Sequence, residues 1–175
     1  DLAADYVYIG KKTIDFEIPG FIKIITDYEN WQSKHVTNKS FVPLLSLSEL
    51  LKIEDKNLTC FVTVQAEEET TGLENYINAI VCLETSYDNK TQLFRKFICE
   101  SADNKLLNPI VLKYKDEELD DEKFQLNVSS NAGALLIDGI GDGVWIQNDH
   151  QSLQFINSTS FGILQATRTR ISKTE

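Results

Sequence analysis

Short runs of β-branched and aromatic residues recur along this chain of 175 residues, most of them followed by a helical or loop-like stretch. DYVYIG over 5–10 and FIKIIT over 21–26 read as strands, separated by a loop that holds Pro19 and Gly20. Residues 27–34 form a short helical turn. FVPLL over 41–45 is a third strand, which Pro43 keeps short or at an edge. In SLSELLKI, Ser46 caps a helix that has Glu49 in its first turn and Leu47, Leu50 and Leu51 on one face. LTCFVTVQ over 58–65 is nearly continuous in apolar residues, as a strand buried on both faces should be. Another strand follows over 79–85. A helix within 87–101 then places Leu93, Phe94, Phe97 and Ile98 at helical spacing. PIVLK over 109–113 and FQLNV over 124–128 read as strands on either side of a charged helix or loop over 116–122.

The stretch NAGALLIDGIGDGVWIQ over 131–147 organises the end of the chain. A small-residue helical turn runs into Leu135, Leu136 and Ile137; Gly139, Gly141 and Gly143 punctuate a turn with Asp138 and Asp142; a strand follows over 144–146. A last helix spans about 151–168, with Leu153, Phe155, Ile156, Ile163 and Leu164 as candidate core residues. Eight short strands in β-then-α alternation define an α/β chain. A (β/α)8 barrel typically takes about 250 residues, so the expectation is one domain built as a shortened, irregular, TIM-barrel-like (β/α)8 unit in which several helices have shrunk to loops.

GALLIDGIGDGVWIQ, followed by TSFGILQATRTRISKTE, resembles the end of the insert domain in long-form 4-hydroxy-3-methylbut-2-enyl diphosphate synthases, iron–sulfur enzymes of the non-mevalonate isoprenoid pathway. The likeness is dense over 131–175 and faint around 5–10. It implies a parent that reductively converts 2-C-methyl-D-erythritol 2,4-cyclodiphosphate with a [4Fe-4S] cluster and a ferredoxin or flavodoxin donor. It also implies a catalytic barrel before residue 1 and, after residue 175, a cluster domain opening on a Cys-Pro-x-Cys-Gly motif. Residues 1–175 would then be a single insert domain, a degenerate copy of the barrel that is not catalytic by itself and that scaffolds its two neighbours in the same chain. In the family's catalytic barrel the strand after the glycine turn carries an arginine that meets the substrate diphosphate. The matching positions here, GVWIQ over 143–147, hold no cation.

Composition narrows the partners. A net charge of −10 argues against nucleic acid, which needs clustered Lys and Arg. The acidic excess lies at 67–69 and 116–122 and reads as solvated surface. There is no run of apolar residues long enough to span a bilayer and no signal-peptide pattern at 1–10, so no membrane is expected. Cys60, Cys82 and Cys99 lack any Cys-x-x-Cys spacing and sit in apolar runs, which makes them core residues rather than ligands and favours a reducing compartment. A bacterial cytoplasmic location follows from the resemblance. The chain has no methionine and stops at Glu175 without a terminating signal, and it is read as a piece of something longer.

Candidate chemistry is sparse. GIGDG over 139–143 fails the dinucleotide fingerprint, because position 144 is Val, and it follows a helix and opens a strand, the reverse of a phosphate loop. His35 and His150 have no carboxylate or nucleophile patterned around them, and Trp31 and Trp145 are packing residues. No catalytic, cofactor-binding or metal-ligating residue is assigned. Arg168, Arg170, Lys173 and Thr174 lie at or just beyond the end of the last helix, where cations offset the helix dipole, and the resemblance makes them possible contacts to the cluster domain. Two other readings compete. An extracellular or periplasmic, non-enzymatic ligand-binding domain would use the Asn-x-Ser/Thr sites at Asn38, Asn57, Asn89, Asn127 and Asn157, although a glycan at Asn57 or Asn127 should block strand packing. A free-standing barrel enzyme would bring titratable groups together at strand C-termini, and the sequence singles out none.

Overall fold

The computed structural model describes residues 4–15, 17, 19–34, 38–103 and 106–171. Its centre is a sheet of seven parallel strands in sequential order. They are β1 (Tyr6–Gly10), β2 (Lys23–Asp27), β3 (Phe41–Ser46), β4 (Cys60–Gln65), β5 (Ala79–Glu84), β6 (Ile110–Lys115) and β7 (Gly143–Gln147). The helices are α1 (Tyr28–Lys34), α2 (Leu47–Leu50), α3 (Lys90–Asp103), α4 (Asp121–Leu136) and α5 (Leu153–Ile171). Parallel neighbours need crossovers, which explains the alternation read from the sequence.

The sheet curls. Tyr6 on β1 packs edge-on against Phe61 on β4, with ring centroids 4.8 Å apart. Strands are spaced by about 4.8 Å, so these two would stand about 14 Å apart if the sheet were flat. Tyr8 on β1 also reaches Trp145 on β7, at 5.2 Å. The result is a half-barrel with two faces. The convex face packs under the helices through Leu45, Val62, Val64, Val81, Leu83, Leu112 and Ile146. The concave face holds a smaller apolar cluster of Ile25, Val42, Phe61 and Cys82. Burial on both faces accounts for the continuous apolar run in β4.

Local chemistry fixes the ends. Ser46 and Glu49 form a capping box at α2, with the Glu49 carboxylate accepting from the Ser46 backbone N–H at 2.8 Å. That bond, with a further one from the Ser46 hydroxyl, holds the Glu49 carboxyl below its ordinary value. Asp120 caps α4 by accepting from the Lys123 backbone N–H at 2.9 Å. That cap overturns one expectation: FQLNV over 124–128 is not a strand but part of α4, so the strands among the described residues number seven rather than eight. The segment satisfies both periods. Phe124, Val128, Ala132 and Leu135 bury one helical face, whereas Leu126, which a strand would have placed beside Phe124 and Val128, is 67% exposed.

Other expectations need adjusting residue by residue. Leu51 is 42% exposed beside buried Leu47 and Leu50, and Leu153 is 79% exposed although Ile156 and Ile163 are buried as expected. Cys60 and Cys82 are buried, whereas Cys99 is exposed on α3. Burial pushes the first two thiols from the ordinary 9.0 up to about 12. They stay protonated in the fold, so the stability this contributes is present below pH 9 and lost as pH climbs toward 12. At mildly alkaline pH a thiol-reactive disulfide reagent is therefore expected to titrate Cys99 alone in the native chain and all three in guanidinium. Rapid native reaction at two or more sites would show that the sheet opens readily.

Candidate functional site

Parallel barrels place their chemistry at the C-terminal ends of the strands, on the inner face. Alternation along each strand brings Tyr8, Asp27, Gln65, Glu84, Lys113 and Trp145 to that rim. Gln65 pairs in register with Glu84, and Lys113 with Trp145, so four of the side chains form one lateral row across β4 to β7.

The row is bonded end to end. Gln65 Nε2 donates to Glu84 Oε1 at 2.7 Å, and Lys113 Nζ lies 2.6 Å from Glu84 Oε2. The same ammonium stands 5.1 Å from the centre of the Trp145 ring. Trp145 meets Tyr8 across the gap between the two edge strands, and Tyr8 Oη donates to Asp27 Oδ1 at 2.6 Å. Burial, and then the Asp27 carboxylate, push the Tyr8 phenol up to about 12. Six of the seven strands are thus joined by one chain of contacts.

Titratable groups do converge at strand C-termini, which the sequence reading had not singled out. The signal was present, since Tyr8, Glu84 and Lys113 break otherwise apolar strands at positions of one parity with Trp145, but parity identifies a face only once the register is known. Chemically the set is closed on itself. Both oxygens of Glu84 carry a donor, the Lys113 ammonium is shared between Glu84 and Trp145, and the phenol is held neutral. A general base needs a free lone pair facing substrate, and this carboxylate is occupied on both sides by its neighbours.

The glycine turn lies at the opposite rim, leading into β7. Gly139 and Gly141 have φ of +72° and +94°. The Gly139 and Ile140 amides donate to Leu136 and Leu135, ending α4 in a Schellman arrangement. Asp142 brackets Ile110, its amide donating to Ile110 O at 2.7 Å and its carboxylate accepting from Ile110 N at 2.8 Å. These amides are spent on the chain itself, as expected of a structural turn.

The remaining candidates do not gather. Trp31 donates to Phe41 O at 3.2 Å and stacks on Tyr28, a packing role. His150 is exposed, and His35 lies outside the described residues. Arg168 is exposed on α5, while the Arg170 side chain, Lys173 and Thr174 lie outside the described residues. Cys60 faces the helices, Cys82 the concave side and Cys99 solvent, so the three thiols do not fit an iron–sulfur cluster. Among the described residues no group of three or more His, Cys, Asp or Glu side chains could hold a metal ion. Among the described residues no helix is long and apolar enough to cross a membrane. All five Asn-x-Ser/Thr asparagines are exposed, so the packing objection raised for Asn57 and Asn127 does not hold.

No family model matches the chain, and no solved structure does. Curated proteins do. The chain is 34% identical over 180 residues to a 4-hydroxy-3-methylbut-2-en-1-yl diphosphate synthase (flavodoxin) of Parabacteroides distasonis, with 98% of this chain and 28% of that protein aligned. It is 30% identical over 173 residues to the Bacteroides fragilis protein of the same name, with the same two shares covered. A chloroplastic, ferredoxin-type synthase of Oryza sativa subsp. japonica is 46% identical over 50 residues, 29% of this chain and 7% of its own. The chain spans a little over a quarter of the length of the full-coverage relatives it matches. It belongs to the 4-hydroxy-3-methylbut-2-en-1-yl diphosphate synthase family, as a part of the long-form enzyme.

Proposed function

We propose that this chain is the insert domain of a long-form synthase and works as a non-catalytic scaffold. A catalytic barrel would precede it, and a domain carrying a [4Fe-4S] cluster would follow. The observation that carries this reading is the alignment of 98% of the chain to only 28% of a synthase. The self-bonded rim supports it, because the strand over 143–147, matching the one expected to present an arginine to a diphosphate in the catalytic copy, holds no cation, and the neighbouring cation, Lys113, is paired with Glu84. On this reading the half-barrel is a shortened (β/α)8 barrel whose eighth unit is lost. A rigid spacer would lower the entropic cost of bringing the barrel and the cluster together.

The parent would reductively convert 2-C-methyl-D-erythritol 2,4-cyclodiphosphate to 4-hydroxy-3-methylbut-2-enyl diphosphate in a bacterial cytoplasm, with flavodoxin or ferredoxin as electron donor. Arg168, Arg170, Lys173 and Thr174 would contact the cluster domain. The test is iron and acid-labile sulfide content after anaerobic purification, for this chain and for the chain extended through its natural continuation. About four irons per chain in the extended form alone is the expected result. Iron in neither form would remove the family's chief requirement, and iron in the short form would mean that the three thiols had been misjudged.

A further inference from the structure

A cleft of about 190 Å3 opens between the first turn of α3, the end of β6 and the middle of α4. Tyr114 forms part of its lining. The side chain leaves the convex face of β6 and packs its ring against Phe94 of α3, with centroids 5.4 Å apart, so its hydroxyl is the atom carried farthest from the sheet toward the helices that wall the cleft. Tyr114 is only 2% exposed, and its hydroxyl is buried with no hydrogen-bond partner. A buried polar atom left unpaired is uncommon, and here it belongs to a residue that borders open space. Burial pushes the phenol pKa up, which keeps it a neutral donor.

Other donors meet it there. Asn89 stands at the cap position of α3, its carbonyl accepting from the Gln92 and Leu93 amides. Its side chain caps nothing, and among the described residues the amides of Lys90 and Thr91 have no partner. Such amides, at the positive end of a 14-residue helix, favour an anion. Lys90 is half-buried in the cleft lining, and its ammonium donates to the Lys115 carbonyl at 2.8 Å. No ion pair among the described residues engages it. Thr91 Oγ1 donates to Asn131 Oδ1 at 2.7 Å, which ties this end of α3 to α4.

Two carboxylates border the same space and narrow the anion. Asp88 is exposed, and Asp116 is half-buried with one oxygen accepting from the Glu118 amide at 2.7 Å. Both repel an anion without protons, such as sulfate. A phosphoryl group, with its second pKa at about 6, can keep a proton and donate it to the other oxygen of Asp116. We propose that this cleft binds a phosphoryl group, as free phosphate or as the end of a small phosphate ester, with the Lys90 and Thr91 amides, the Lys90 ammonium and the Tyr114 hydroxyl as donors and Asp116 as acceptor.

The test is equilibrium dialysis of the complete parent protein against labelled phosphate, with glycerol 3-phosphate and sulfate as competitors. Phosphate sites in other domains cancel when each variant is compared with the parent. One site per chain is expected to weaken about tenfold or more in Lys90→Met, since it loses a hydrogen bond from a charged donor, and a few-fold or more in Tyr114→Phe. Lys123→Gln, on the exposed side of α4, should leave every site unchanged. Tyr114→Phe keeps the ring and its packing, so it reports on the hydroxyl even if Lys90→Met disturbs the helix, and circular dichroism verifies each fold. Stronger competition by glycerol 3-phosphate than by unlabelled phosphate would identify an ester as the ligand, and the reverse would identify free phosphate. Absence of saturable binding, identical sites in the parent and Tyr114→Phe, or sulfate competing as strongly as phosphate would overturn the proposal.

Discussion

Gly141→Ala is expected to destabilise the chain by about 3 kcal/mol, far more than the same change two residues earlier. At φ +94° an L-residue is strained by about 1–2 kcal/mol. A Cβ at this position would also stand 2.9 Å from Leu112 Cγ and 3.0 Å from its Cδ1, and Leu112 is fully buried. Such overpacking costs about 1–3 kcal/mol. Gly139 has a similar φ, +72°, but nothing within 4 Å of its Cβ position, so Gly139→Ala should show the backbone cost alone, about 1 kcal/mol. Urea midpoints at constant m-value separate the two. Leu112→Ala alone should cost about 2–5 kcal/mol. Combined with Gly141→Ala it should cost about 1–2 kcal/mol less than the sum, because the smaller side chain removes the clash. Equal losses at Gly139 and Gly141 would show that the turn is not pressed against β6.

That turn also shows what the sequence can and cannot convey. Its glycines, its aspartates and the strand behind them could be read directly, because each is a local requirement: positive φ, helix termination, β-branched packing. The capping box at Ser46 was legible for the same reason, as was the two-faced burial of β4. FQLNV misled because its apolar positions, 124, 126 and 128, fit a strand, while 124 and 128 also fit a helix. Only Asp120 and the distant packing of Phe124 against Phe155, at 5.9 Å, decide the matter. The rim network was illegible for a different reason. Glu84 and Lys113 are 29 positions apart and Tyr8 and Trp145 are 137 apart, so their meeting depends on strand order, register and the curl together. The run of Glu67, Glu68 and Glu69 was legible as solvated surface, and all three side chains are exposed.

Glu84→Ala is expected to cost about 2–3 kcal/mol. The Glu84 and Lys113 side chains are 27% and 16% exposed, so removing the carboxylate leaves an ammonium in a largely desolvated position with only the Trp145 ring beside it. Breaking a fully buried pair costs about 3–5 kcal/mol, and partial exposure lowers that figure. Replacing both charges together should behave differently. Glu84→Gln/Lys113→Met keeps an acceptor for Gln65 Nε2 and an unbranched chain against Trp145, and should lie within about 1 kcal/mol of the parent. The same pair separates scaffold from catalyst. In the complete enzyme the double variant should leave turnover within about twofold of normal, since a self-bonded rim that only ties strands together can exchange one complementary pair for another. A loss of a hundredfold or more, with the urea midpoint retained, would place Glu84 and Lys113 among the reacting groups. The half-barrel would then be a second active site rather than a support.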